Sequence, residues 1–122
     1  MPSFNLVYFN SRDELLRVDL TKVVYFEASA NITEIVTVNK LKALVSMNLA
    51  SMEQFLGKQT GELARSFVRI GKRYIVNINY IYRINLRNQN LVLSDNDHFV
   101  FQLSISKEAL KKLRDLMIQI KK

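Results

Sequence analysis

Val23-Val24-Tyr25-Phe26 is a run of four apolar residues, two β-branched and two aromatic. So short and dense a run is typical of a buried strand, and similar segments recur along most of the chain. Residues 4–9 and 14–20 flank Asn10-Ser11-Arg12-Asp13, a stretch of turn formers, and read as a first hairpin. Ser29-Ala30-Asn31 interrupts the apolar run, and residues 32–38 resume it with β-branched side chains. Asn39-Lys40 is a turn before another strand over 41–45. Strand character returns over 67–76, 80–86 and 91–93. Ser94-Asp95-Asn96-Asp97 then makes a turn ahead of a last strand over 99–103.

The period changes to a helical one in two places. Leu49, Met52 and Leu56 fall at i, i+3 and i+7, with Asn48 placed to cap the first turn and Gly57 to end the helix. Near the end, Ser106 is a good N-cap, and Glu108 lies in the first turn, where the helix dipole favours an acid. Leu110, Leu113, Met117 and Ile120 form one stripe, while Lys111, Lys112, Arg114 and Lys121 lie on the other face. The expected fold is mainly β: small antiparallel sheets, one short internal helix and a C-terminal helix over 106–120. One domain spans 1–122, and residues 1–21 add a hairpin at its N-terminal side.

The chain has 122 residues, 48% of them hydrophobic, which is enough to fill a core and excludes a disordered tail. It contains no cysteine, so no disulfide framework or thiolate metal site is available. Apolar runs fall far short of the roughly 20 residues that span a bilayer, and Met1-Pro2-Ser3-Phe4-Asn5 has no secretory pattern. A cytoplasmic protein without a membrane partner is expected.

The net charge of +7 is unevenly placed. Between Lys58 and Arg87 there are seven basic residues (Lys58, Arg65, Arg69, Lys72, Arg73, Arg83 and Arg87) and one acid, Glu62, a net of +6. Residues 107–122 carry +4, and the remainder is net acidic at −3. A charge kept for solubility has no reason to segregate in this way. Phosphate binding does, because each neutralised phosphate releases condensed counterions. Within Arg69-Ile70-Gly71-Lys72-Arg73-Tyr74 the glycine can adopt positive φ, so that Lys72 and Arg73 project from a bend toward phosphates or a guanine edge. The alternative is a β-bulge with solvated cations.

No catalytic constellation can be assembled. His98 follows Asp95-Asn96-Asp97 in a turn and reads as an exposed residue without a nucleophile beside it. Asp95 and Asp97 lack the glycine and distal Glu of a calcium loop. No enzyme, metal, cofactor or small-molecule substrate is expected. Tyr80/Tyr82 and Phe99/Phe101 place two rings on one strand face each, as a single-strand or RNA platform would, although core packing explains such rings more simply. The stripe on the last helix could serve a protein-interaction module or pack on its own sheet.

The order of features resembles the LytTR family of bacterial DNA-binding domains. Tyr25-Phe26-Glu27-Ala28 is followed by Asn31, the short helix, and Phe67-Val68-Arg69-Ile70-Gly71-Lys72-Arg73-Tyr74-Ile75-Val76-Asn77. Ile81, Ile84 and Leu103-Ser104-Ile105-Ser106-Lys107 complete the pattern, which covers roughly residues 22–113. The resemblance implies a transcription regulator that contacts double-stranded DNA through loops in successive major grooves; family members usually follow a receiver or membrane domain, and a stand-alone domain is expected here as a departure from that pattern. Family members commonly act as pairs on direct repeats, so a homodimer on such sites is expected. Carried over residue by residue, the contacts are Asn31 and Thr33, then Lys72 and Arg73 with Arg69 nearby, then Lys107. Lys111 joins them from the basic face of the last helix. Gly71 and Lys72 stand where the family often has His or Arg, and Lys107 where it often has Arg. A lysine weakens any bidentate guanine contact, so base preference does not transfer.

Overall fold

The computed structural model describes residues 5–59 and 63–120. Phe4 of the expected hairpin, Glu62, and Lys121 and Lys122 lie outside them. Among the described residues there are ten strands: β1 (Leu6–Asn10), β2 (Leu15–Asp19), β3 (Val23–Ser29), β4 (Ile32–Thr37), β5 (Lys42–Val45), β6 (Phe67–Ile70), β7 (Tyr74–Asn77), β8 (Ile81–Asn85), β9 (Asn90–Ser94) and β10 (Val100–Ser104). The helices are α1 (Leu49–Gly57) and α2 (Lys107–Ile120). All strand pairs are antiparallel. The sheets are β1-β2, β10-β9-β8 and a five-stranded sheet in the order β5-β4-β3-β7-β6.

The five-stranded sheet is covered on both faces, which explains why its inner strands are apolar without alternation. In β7, Tyr74 and Val76 enter one core and Ile75 the other. In β3 a register shift between Val23 and Tyr25 puts Val24 and Tyr25 into the same core, while Val23 and Phe26 enter the opposite one. One core is closed by the β1-β2 hairpin and α1, through Val7, Phe9, Val18, Leu49, Met52 and Leu56. The other is closed by the three-stranded sheet and α2, through Leu91, Leu93, Phe99, Leu103, Leu110 and Leu113.

Capping follows the residue chemistry. The Asn48 side chain accepts a hydrogen bond from the Ser51 N–H at 2.8 Å, and the Ser106 hydroxyl accepts one from Ala109 at 3.2 Å. Gly57 is the last residue of α1, with Lys58 as the cap.

Three expectations need correction. Residues 67–76 are two strands, because Gly71 at φ +61° reverses the chain between β6 and β7. Tyr80 belongs to a 3-10 turn (Ile78–Tyr80), so it does not share a strand face with Tyr82. The stripe on α2 ends early: Leu110 and Leu113 are buried, Met117 packs against the core, and Ile120 is 51% exposed.

Candidate nucleic-acid interface

Three chain reversals meet at one end of the five-stranded sheet. The β3-β4 reversal is a two-residue loop, Ala30-Asn31, bracketed by the Ser29–Ile32 pair. Ala30 takes its positive φ of 55°, and Asn31 is exposed. β3 pairs with β7 as far as Glu27–Tyr74, and the Ala28 N–H donates to the Arg73 carbonyl at 2.8 Å. The Ala30-Asn31 loop therefore adjoins the turn Gly71-Lys72-Arg73. On the other side, a groove of about 300 Å³ separates Arg69, Ile70 and Gly71 from Ser106, Glu108 and Lys112 of the α2 start. The β8-β9 turn lies beside the same junction, since the Ile105 N–H donates to the Gln89 carbonyl at 3.1 Å.

The expected contact residues fare differently within this cluster. Lys72, Lys107 and Lys111 are exposed, and no carboxylate among the described residues pairs with them. Lys107 and Lys111, four residues apart, share one face of α2. Arg73 is exposed but engaged: Nε and a terminal nitrogen meet Glu27 Oε2 at 2.8 and 2.6 Å, and the guanidinium lies 5.4 Å from the Tyr74 ring centre. The hydrogen bond to Glu27 raises the Arg73 pKa further and keeps the group charged. Arg69 is turned back onto its own turn and onto Glu53 of α1.

Thr33 is a correction. Its side chain is fully buried, and its hydroxyl donates to the Met47 carbonyl at 2.6 Å, so it fastens β4 to the segment before α1. A residue so placed has no surface to offer a nucleic acid.

The aromatic pairs are structural. Phe99 is buried, Tyr80 packs edge-on against it at 5.3 Å and donates its hydroxyl to the Thr21 carbonyl, and Phe101 packs edge-on against Tyr25 at 5.5 Å. Only Tyr82 of the four faces outward. Burial raises the pKa of Tyr25 to about 12, helped by the Glu27 charge, and raises Tyr74 for the same reasons. Both stay neutral packing groups at physiological pH.

His98 is exposed and bridges two acids, with Nδ1 at 2.9 Å from Asp95 and Nε2 at 3.3 Å from Asp97. Among the described residues, no three metal-ligating side chains converge, and no helix is long and apolar enough to cross a membrane.

Basic turns beside a basic helix on a mainly-β domain fit a class of nucleic-acid-binding domains. The family model for the LytTr DNA-binding domain matches residues 13–118, and the chain belongs to that family. The match is wider than the resemblance at 22–113 and begins in the β1-β2 turn, leaving β1 ahead of it. Among solved structures, the LytTr DNA-binding domain of a methyl-accepting/DNA response regulator from Bacillus cereus has the same fold. Its TM-score is 0.63 at 24% identity, over 93% of this chain and 96% of that one. No curated protein matches the chain. The protein is thus a DNA-binding domain of the LytTR type, a family whose typical role is transcription regulation.

Proposed function

We propose that the chain binds duplex DNA sequence-specifically and regulates transcription, entering successive major grooves with the turns at this end of the sheet. The observation that supports the reading is that exposed Asn31, Lys72 and Arg73 lie on two adjoining turns, with the start of α2 across a groove from Arg69, Ile70 and Gly71. Asn31 is the neutral hydrogen-bonding group of the set, suited to a base edge. Lys72 and Arg73 serve the phosphates. Lys107 approaches a base or phosphate from the helix start, and Lys111 continues the basic track one helical turn on. Two copies on a direct repeat would place their turns on one face of the duplex. The setting is the bacterial cytoplasm, and residues 1–122 act as one unit.

The salt dependence of duplex binding tests this reading. With about six phosphates neutralised, the slope of log affinity against log salt is expected near −5. An affinity indifferent to salt would remove the proposal. Lys107→Ala is expected to relax base preference, whereas Arg73→Ala weakens binding to all sequences alike, as measured on a panel of single-base variants.

A further inference from the structure

Arg69 faces the protein's own backbone. Its Nε donates to the Gly71 carbonyl at 3.0 Å and one terminal nitrogen to the Lys72 carbonyl at 3.4 Å. The other terminal nitrogen meets Glu53 Oε1 at 3.0 Å. Glu53 stands on α1, which Leu49, Met52 and Leu56 root in the core, so the anchor is fixed independently of the turn. The space beside Gly71 is open, since an added Cβ there would meet no atom within 4 Å. On its Arg73 side the turn is tied to β3 by the Ala28 hydrogen bond, and on its Gly71-Lys72 side this guanidinium is the side chain that holds the two carbonyls. A planar fork with five N–H donors can hold two carbonyls and a carboxylate together, and an ammonium cannot.

We propose that Arg69 is a positioning residue, anchored by Glu53, that sets the geometry of the Lys72-Arg73 turn and neutralises no phosphate itself. The inference rests on reading that turn as a DNA contact, and it deepens that reading by separating the cations that bind from the one that holds them in place. It predicts an effect of inverted sign. Removing the Glu53 charge makes the protein more positive, which by electrostatics alone tightens DNA binding, yet loss of the anchor loosens the turn and weakens it.

Two measurements test it on the intact chain. The first needs no DNA: limited trypsin digestion under folding conditions, with cleavage after Lys72 and Arg73 mapped by mass spectrometry. Glu53→Gln is expected to speed cleavage about threefold, the scale of one partly exposed ion pair. Arg69→Gln is expected to speed it about tenfold, and Arg69→Lys not to restore protection. The double variant should be no worse than Arg69→Gln alone, because both changes break one linkage. Unchanged cleavage in Glu53→Gln, at a melting temperature equal to the parent's, would overturn the brace.

The second measurement is the affinity of a mixed-sequence duplex spanning two successive major grooves, followed across a salt series. Arg69→Gln and Glu53→Gln are expected to weaken binding with the salt slope unchanged, whereas Lys72→Ala lowers the slope by about 0.9. Tighter binding by Glu53→Gln, or a slope reduced by Arg69→Gln, would show that Arg69 meets phosphate and would overturn the proposal. If the parent bound no duplex at all, the functional reading would fall, and the brace would still be decided by the digestion.

Discussion

Glu27 and Glu53 each hold an arginine of the same short stretch, and their neutralisation is expected to act in opposite directions. Glu27→Gln releases Arg73, an exposed cation of the turn proposed to meet DNA, and should tighten duplex binding about threefold. Titration of a labelled duplex checks this, and weaker binding would mean that Arg73 needs its acid to be positioned. Thr33→Val is expected to leave base preference unchanged and to cost about 1–2 kcal/mol of stability, since the Met47 carbonyl loses a buried donor. Parallel denaturant melts and binding curves separate the two effects. The His98 pKa is raised, first by the hydrogen bond to Asp95 and then by the Asp97 charge. Desolvation works the other way on Asp95, but His98 and the backbone N–H groups of Asp97, His98 and Phe99 outweigh it and hold that carboxyl well below its ordinary range. A raised folded pKa contributes stability that is complete below the ordinary histidine value of about 6.5 and fades as pH rises through the folded value. Melting temperature should therefore decline from pH 6 toward pH 8 in the parent and be flatter in Asp95→Asn. Equal pH profiles would contradict the bridge.

Among the elements, α2 gives the sharpest contrast. Leu110 is fully buried and Leu110→Ala is expected to cost about 2–5 kcal/mol, while Ile120→Ser should stay within about 0.5 kcal/mol because that side chain is half exposed. Thermal melts of the two variants check the point where the stripe leaves the core. Elements whose local chemistry agrees with their surroundings were legible: Asn48 and Ser106 cap as their residue types suggest, and Asn39-Lys40 turns as expected, with Lys40 at φ 69°. The β6-β7 hairpin was read as one strand because Phe67 to Ile70 and Tyr74 to Asn77 are equally apolar, leaving Gly71 open to a bulge or a reversal. The 3-10 turn holding Tyr80 left no periodic trace, being only three residues long.

At the scale of the whole molecule, the segregation of positive charge was legible because it lies in contiguous stretches, and the fold sets the turn that holds Lys72 and Arg73 across a groove from the start of the basic helix α2. The acids that discriminate among those cations were not legible. Glu27 lies 46 residues from Arg73, and Glu53 lies 16 from Arg69, so neither pairing has a local signature. Thr33 misled for a related reason: it was carried over from the resemblance with the loop beside it, and the β5 strand and Met47 carbonyl that close over it lie too far along the chain to leave a local signature. With a core on each face of the sheet, exposed cations, loop backbone and a helix start adjoin at the turn end, which is where the proposed duplex contact lies. The most direct test is selection of bound duplexes from a random pool at moderate salt with unlabelled competitor. The account predicts an enriched motif, repeated at a spacing of about one helical turn. Equal recovery of every sequence, or tighter binding to single strands than to any duplex, would contradict it.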